Sequence, residues 1–394
     1  MASSMRKGIV ALFTILFVVQ STVSVVGLDT ENTPANCLLN FDGELANQSV
    51  QFQTDLGPRT PGSAASSALR DSIKSNLSEW DITETTHHSH GMNLTNLFAT
   101  WNKGAGSKVI LAAHYDTRHK GDQDWNESRR DEPIDGANDG ASGVAVLLEI
   151  ARLIPTLNLT HEVTLFFTDG EDQGDNHSTY VLGAKAWADN LTQSEADDIE
   201  SFILVDMVGD SYLTLRKTTP GNMELWNRTE DIIRYIDDVC ELNDSSYFDF
   251  ERFDGIYDDH VPAHELGIPA IDIIDTRYGE NASFLGGHWH THNDTADKVS
   301  ADSLQKVGLI LELGLITGAW LDVRVSEIDS EEISVDPCLE GGNEDNTECE
   351  LDSNEVDSSQ DGDEMTVGVL LALCIIVVWT SLAWLGFADN RGEG

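Results

Sequence analysis

The stretch LAAHYDTR (111–118) ends an apolar run on a histidine that is followed two residues later by an aspartate. An apolar run as short as Val109–Ala113 is typical of a strand buried on both faces of a parallel sheet. Histidine, aspartate or glutamate recurs at comparable places in four further segments: DGANDGASG (135–143), FFTDGEDQG (166–174), LVDMVGD (204–210) and HWHTHNDTAD (288–297). Each segment alone is a weak signal, but all five in this order are hard to obtain by chance.

Short apolar runs alternate with amphipathic segments between residues 28 and 324. The alternation predicts an α/β fold with a mostly parallel sheet, compatible with one domain. The predicted strands are Leu97–Trp101, Val109–Ala113, Val163–Thr168, Phe202–Asp206 and Ala270–Ile274. The predicted helices are Ala64–Leu77, Ser142–Leu153, Val181–Asn190, Asn222–Glu241 and Ser300–Leu321. Because active sites in such sheets gather at the carboxyl ends of strands, the polar residues there are candidate site residues.

The first two segments offer an imidazole and two carboxylates. His114 and Asp116 stand two residues apart, and in extended chain such residues point to the same side. Asp116 can therefore accept the free ring N–H of a metal-binding His114, although an ordinary surface ion pair would look the same. Asp139 lies in a turn of small residues that opens into a helix. It is either a cap of that helix or a metal ligand able to bridge two cations.

Three acids follow at the ends of the next two predicted strands. Glu171 and Asp172 are adjacent, so one can bind a cation while the other reaches a water molecule. We assign Asp172 to the metal and Glu171 to the general base; two exposed acids are the alternative. Asp206 ends an apolar run, where a carboxylate is costly unless it is paired or coordinated. Zinc accepts imidazole nitrogen and carboxylate oxygen, and paired zinc ions can hydrolyse amides.

The last segment contains three histidines, His288, His290 and His292, and the residues alone do not choose between them. Trp289 could stack on a substrate. We expect Asp259, in an Asp-Asp-His sequence before a helix-like segment, to lie beside the metal ligands or in the substrate pocket.

Other signals exclude competing types of site. The cluster His87, His88 and His90 lies in a polar connection and predicts a solvated loop rather than a metal site. The His-Glu-x-x-His and Gly-x-Ser-x-Gly motifs are absent, which disfavours thermolysin-like and serine hydrolases. No Cys-x-x-Cys occurs, so thiolate zinc sites are excluded as well.

The two ends of the chain are expected to lie outside the folded domain. Residues 1–27 carry two basic residues before a short apolar run, the pattern of a secretory signal peptide; an uncleaved anchor is the alternative. Residues 365–387 are apolar and uncharged, and long enough as a helix to cross a bilayer. We therefore expect the membrane as a partner: a single-pass C-terminal anchor, residues 388–394 inside, and the bulk of the chain on the extracellular face.

The chain is strongly acidic, with a formal net charge of −46. Residues 326–364 hold 16 acidic residues and no Lys or Arg, which predicts a disordered stalk. The remainder still carries about −46 + 16 = −30. This charge argues against nucleic-acid binding, which needs Lys and Arg. It suits a salt-rich milieu or cationic substrates, and solubility alone explains it equally well.

Cysteines are few. Cys37 could pair with Cys240, and Cys338 with Cys349, but the sequence does not establish either bridge. Several Asn-x-Ser/Thr sequences fit glycosylation outside the cytoplasm.

As a set, these segments resemble metallopeptidase family twenty-eight, the co-catalytic zinc aminopeptidases and their glutamate carboxypeptidase relatives. The resemblance covers about residues 50–321, including GPRTPGS (57–63). It implies a zinc exopeptidase-like domain over residues 28–325, with a mixed eight-stranded sheet and helices on both faces. The ligand set it implies is one zinc on His114 and Asp206, a second on Asp172 and His290, and Asp139 as the bridge.

The resemblance predicts an aminopeptidase that acts on peptides with a free N-terminus. Two zinc ions would share a water, and Glu171 would take its proton before hydrolysis of the first peptide bond. The sequence departs from the family at Asp172, where glutamate is usual, so this shorter side chain must lie closer to its zinc.

Glutaminyl cyclases share the same fold and give the second hypothesis. They keep one zinc and close an N-terminal Gln or Glu into a lactam, and HYD (114–116), YDDHVP (257–262) and WHT (289–291) are similar to their sequences. NDGASG (138–143) is nearer to the two-zinc peptidases, and all five ligand types are present, which favours the aminopeptidase. A catalytically inactive binding ectodomain is the third hypothesis, disfavoured because such relatives lack metal ligands.

Overall fold

The computed structural model describes residues 37–240 and 245–324. Six strands form the central sheet in the order β1-β2-β4-β3-β5-β8. Their bounds are β1 Asp81–Ser89, β2 Met92–Trp101, β3 Lys108–His114, β4 Glu162–Thr168, β5 Ile199–Asp206 and β8 Ala270–Ile274. Strands β4, β3, β5 and β8 run parallel to one another, while β2 is antiparallel to both of its neighbours. The prediction of a mixed, mostly parallel sheet is confirmed.

Helices cover both faces of this sheet. Their bounds are α1 Gly43–Asp55, α2 Ala64–Asn76, α3 Ala141–Leu153, α4 Leu182–Asp189, α5 Gln193–Asp197, α6 Met223–Val239, α7 His260–Glu265 and α8 Ala301–Thr317. Helices α1, α3, α6 and α8 pack on one another, and α4 and α7 contact each other on the opposite side. Because side chains alternate along a strand, Leu111 of β3 joins one core while Ile110 and Ala112 join the other.

All five predicted strands and all five predicted helices occur; β8 has the predicted bounds, and the others differ at one or both ends. Helix α8 stops at Thr317 rather than Leu321, because Gly318 takes a left-handed conformation (φ 65°) that closes the helix. Helix α1 was not predicted, because its polar composition hides it, although Asp42 caps its first turn. The prediction that His87 and His88 lie in a loop is wrong: they belong to β1, a largely exposed edge strand paired with β2.

The central sheet has six strands, not the eight that the family resemblance implied. Strands β6 (Leu215–Thr219) and β7 (Phe248–Gly255) form a parallel pair of their own. Strand β6 lies beside β8 but meets it through a side chain: Thr218 Oγ1 donates to the carbonyl of Asp272 (3.2 Å) and accepts from its N–H (3.3 Å). This side-chain link replaces a backbone ladder. A second pair of parallel strands is formed by β9 (Arg277–Tyr278) and β10 (Gly286–Gly287).

A disulfide joins Cys37 to Cys240, which settles a pairing that the sequence left open. The predicted signal peptide, acidic stalk, apolar span and tail, with Cys338 and Cys349, lie outside the described residues. Within residues 37–240 and 245–324, no helix combines the length and the apolar character needed to cross a bilayer.

Candidate metal centre

The predicted ligands meet at the carboxyl edge of the parallel strands. His114 is the last residue of β3 and Asp206 is the last residue of β5. Asp172 lies in the loop after β4, Asp139 just before α3, and His290 in the turns after β10. Because β4, β3 and β5 are neighbours in the sheet, their ends converge even though the residues are far apart in sequence.

Five side chains form two groups that share one member. In the first, Nε2 of His114 lies 3.1 Å from Oδ1 of Asp139 and 3.1 Å from Oδ1 of Asp206. In the second, Nε2 of His290 lies 3.1 Å from Oδ1 of Asp172 and 3.6 Å from Oδ2 of Asp139. Ligand atoms within each group lie within 4.8 Å of one another, and all five residues are buried. Asp139 turns one oxygen to each group, so two cations could share it.

The loop that carries Asp139 is fixed by side chains that were not among the predicted site residues. Oδ1 of Asp294 accepts the N–H of Asn138 (2.7 Å), and its Oδ2 accepts the N–H of Asp139 (3.2 Å). Arg59, buried, donates to carbonyl oxygens in the same loop. Gly140 is required here, because a Cβ at this position would lie 2.3 Å from Nε2 of His114.

Negative charge is crowded in the site. Burial, together with repulsion from Asp258 and Asp172, raises the pKa of Glu171 well above its usual range. Burial raises the pKa of Asp172 to about 6, against the attraction of His290. Burial and repulsion from Asp206 also raise the pKa of Asp258 well above its usual range. Divalent cations between these carboxylates would remove the repulsion.

The neighbouring carboxylates favour a proton on each of the two imidazoles, which would partly balance this charge when no cation is bound. Burial alone would lower the pKa of His114, but Asp206 and Asp116 raise it well above its ordinary value. Burial also opposes a proton on His290, but Asp172, Asp122 and Asp139 together outweigh it and raise the pKa of His290 to about 9. A bound metal would take the place of these protons on the ring nitrogens.

The donor set fits zinc. Neutral imidazole nitrogen and carboxylate oxygen are its ligands in sites without thiolates. Each ring has a carboxylate beside its second nitrogen, Asp116 at 3.6 Å from Nδ1 of His114 and Asp122 at 3.3 Å from Nδ1 of His290. Oδ2 of Asp172 is buried and has no hydrogen-bond partner, so it is available to a cation.

The other predicted residues lie around this centre. Asp116 accepts the N–H groups of Glu171 (3.1 Å) and Asp172 (3.2 Å), and so it fixes the loop after β4. The ring of Trp289 stacks on His290 at a centroid distance of 3.6 Å. Asp259 is fully buried and bonded to Thr168.

The remaining acids and histidines take places that the sequence left undecided. Asp258, not its neighbour Asp259, lines the cavity at the site. His292 is bonded through Nδ1 to Asp124 at 2.7 Å, and His288 packs edge-on against Tyr278. His290 is thus the histidine of this segment that joins the ligand groups.

A cavity of about 270 Å³ opens onto the metal centre. Glu171, Asp172, Asp206 and Asp258 line its acidic part. Its other walls are apolar or aromatic, formed by Met207, Ile256, Tyr257, Ile274, Phe284, Leu285 and Trp289 among others. The cavity can hold one side chain beside a polar group that approaches the carboxylates.

The fold and the site together define an α/β protein with a cluster suited to two divalent cations. The model of Peptidase family M28 matches residues 96–313, and the chain belongs to this family of enzymes, as the sequence resemblance indicated. It is 27% identical to the glutaminyl-peptide cyclotransferase of Bothrops jararaca in an alignment 318 residues long, which covers 69% of this chain and 82% of that protein.

Solved structures give the same mixture of relatives. The glutaminyl cyclase of Porphyromonas gingivalis is 32% identical, with a TM-score of 0.62 over 71% of this chain and 99% of that one. A leucine aminopeptidase precursor from Bacteroides thetaiotaomicron is 28% identical, with a TM-score of 0.61 over 71% of this chain and 98% of that one.

Proposed function

We propose that this protein is a zinc-dependent aminopeptidase that removes the first residue of peptides. The observation that carries the proposal is Asp139, whose two oxygens face the two ligand groups. A carboxylate shared between two cations is a geometry suited to amide hydrolysis.

Glu171 is the base in this proposal. It lines the cavity beside the ligand groups without belonging to either. Zinc, when bound, supplies a Lewis acid for the scissile carbonyl and the attacking water. The Glu171 carboxylate takes a proton from that water and delivers it to the leaving amine. The N–H of Glu171 is held by Asp116, which fixes the start of the catalytic loop.

The cavity suggests how the N-terminal residue would be held. The free α-amine is cationic at neutral pH and would approach the acids of the cavity. Asp258 is one of these acids, and it is not a predicted metal ligand, so it is available to the amine. The side chain of the first residue would lie against the aromatic walls, including Trp289 and Tyr257. An extended peptide with a free N-terminus is therefore the substrate class that we infer.

Glutaminyl cyclisation is the second candidate, and Asp258 favours it. In that reaction the α-amine nitrogen of an N-terminal Gln attacks its own side-chain amide carbon; a C–N bond forms and ammonia leaves. Glu171 would accept the proton of the amine, and a protonated Asp258 could give one to the ammonia. Burial and repulsion from Asp206 raise the pKa of Asp258 well above its usual range, which supports this acid role. This chain also matches relatives named as cyclases over most of the length of those relatives.

Product analysis separates the candidates. The purified full-length protein would be loaded with zinc, its zinc content measured, and then incubated with a Leu-initiated and a Gln-initiated peptide. Free leucine and a shortened peptide are expected from the aminopeptidase, with two zinc ions per chain. Loss of ammonia from only the Gln peptide, with one zinc per chain, would replace the proposal by cyclisation. No product from either peptide would favour a binding role instead.

We also propose that the protein works outside the cytoplasm. The Cys37–Cys240 disulfide supports this location, because such bridges persist in oxidising compartments. Protease treatment of intact cells, with loss of the protein detected by antibody, would test it; full protection would contradict the predicted extracellular location.

A further inference from the structure

A buried arginine, Arg118, lies behind the Asp172–His290 half of the metal centre, on the loop after β3. Its side chain is only 2% exposed. Nη1 donates to Oδ1 of Asp172 at 3.2 Å, and also to the carbonyl oxygens of Asp172 (3.3 Å) and Gly174 (2.6 Å). The guanidinium therefore holds Asp172 by both its side chain and its backbone.

The other side of the same guanidinium holds Asp122. Nε and Nη2 donate to the two oxygens of Asp122 at 3.3 and 2.7 Å. Oδ1 of Asp122 lies 3.3 Å from Nδ1 of His290. The next residue, Gln123, donates its N–H to the carbonyl of His290 at 3.2 Å. One short loop, residues 118–123, thus contacts both ligands of this half.

We propose that Arg118 is a positioning residue: with Asp122, it holds Asp172 and His290 in the arrangement that binds a divalent cation. The inference deepens the proposed function and rests on its zinc centre. Guanidinium is planar and presents its donors in fixed directions, so it can serve two carboxylates at once. A lysine ammonium in the same place has the charge without the planar fork.

The positive charge of Arg118 opposes a nearby cation, because like charges in a buried site repel each other. A role based on charge alone would therefore weaken zinc binding. A role based on geometry strengthens it, because groups that orient metal ligands typically change metal affinity by about 10–100-fold. Arg118→Lys separates the two effects, since it keeps the charge and removes the fork.

The test compares the zinc affinity of the full-length wild-type chain and Arg118→Lys by competition with a chelator. We expect Arg118→Lys to bind the zinc of this half about 10–100-fold more weakly. Arg129→Lys is the matched control, because Arg129 is exposed and paired with Glu132 at the surface. Its zinc affinity should equal that of the wild type.

A second background shows whether the effect is local. In Asp172→Ala only the His114–Asp139–Asp206 group remains complete, so adding Arg118→Lys should not change the residual zinc affinity. An equal loss in both backgrounds would mean general damage to the fold and would overturn the positioning role. An unchanged zinc affinity in the single variant Arg118→Lys would overturn the positioning role too.

Asp122→Asn keeps the inference testable if Arg118→Lys does not fold. The Asp122 side chain is 30% exposed, so the substitution disturbs packing less, and we expect the same position-specific loss in smaller measure. Wild-type affinity in Asp122→Asn would then contradict the inference. If the wild-type chain itself binds no zinc, the zinc centre and the positioning role fail together. If the wild-type chain binds zinc and the variants bind it equally well, the positioning role alone fails.

Discussion

The two halves of the candidate metal centre are built differently. His114 and Asp206 end the neighbouring strands β3 and β5, and the parallel register that pairs Ala112 with Leu204 brings them level. Asp172 and His290 lie on loops, and side-chain contacts from a third loop hold them. The sheet backbone therefore brings His114 and Asp206 together, whereas Asp172 and His290 are contacted by the ion pairs of Arg118 and Asp122. Asp139 joins the halves.

The largest expected effect comes from removing the residue that the halves share. Asp139→Ala should lose nearly all bound zinc and all measurable turnover, because both groups become incomplete. Metal analysis of the purified variant and a peptide assay would check this. Asp131→Ala, an exposed acid upstream in the same connection, is the control. Retention of one tightly bound zinc in Asp139→Ala would show that the two halves are independent.

A large effect on turnover without an effect on zinc is expected at Glu171. Glu171→Gln keeps the size of the side chain but cannot accept a proton, so turnover should fall by about 10²–10⁴-fold. Zinc content should stay at the wild-type level, since Glu171 belongs to neither ligand group. Near wild-type turnover in this variant would refute the base assignment in both proposed reactions.

The comparison itself is tested by breaking each half separately. Asp206→Asn removes a carboxylate from the strand half, and Asp172→Asn removes one from the loop half. In a two-zinc enzyme each variant should keep about one zinc per chain and lose most activity. If Asp206→Asn keeps the full wild-type zinc content and activity, the strand half does not hold a cation, and a one-zinc enzyme is indicated.

The smallest effect is the pH dependence of the loop half. Asp172 has a pKa of about 6 in the folded, metal-free protein, above its ordinary 3.8. Zinc must displace a proton from Asp172 below that pH, so this group adds about a tenfold loss of affinity per pH unit there, beyond the loss caused by the protons on His114 and His290. Between pH 3.8 and about 6, the folded chain without zinc binds more protons than the unfolded chain. The contribution of Asp172 to the free energy of unfolding therefore falls as pH rises over this range.

Calorimetry with and without zinc would check the direction in which the stabilisation by zinc changes with pH. We expect a larger zinc-induced rise in Tm at pH 8 than at pH 5, because zinc then binds an ionised carboxylate and offsets its repulsion by other acids. Asp172→Asn should remove much of the difference. The same zinc-induced shift at both pH values would contradict the raised pKa of Asp172.

Much of the site could be predicted because its signals are local. A short apolar run followed by His114 or Asp206 shows in the sequence both the strand and the polar residue at its end. The contacts of Arg118 with Asp172 could not be predicted, since nothing near it in sequence distinguishes it from a surface arginine. Asp294 was missed for the same reason: its partner, the N–H of Asn138, is 156 residues away.

Local patterns also misled where tertiary contacts decide. β1 is polar along most of its length, and it forms because β2 offers a complete antiparallel partner. Six strands rather than eight share the central sheet because Thr218 meets β8 with its side chain.

The sequence by itself determined the strands, the main helices and the kinds of metal-binding side chain, since periodicity and residue type are properties of neighbouring residues. The residues alone did not decide which histidine joins which carboxylate, and the family resemblance only implied it. The tertiary structure brings these side chains together, turns the two oxygens of Asp139 to the two groups, and places Arg118 and Asp122 against the loop half. Those contacts depend on the order of strands in the sheet and on loops that cross its edge, and the free energy of such packing is shared among residues far apart in the chain.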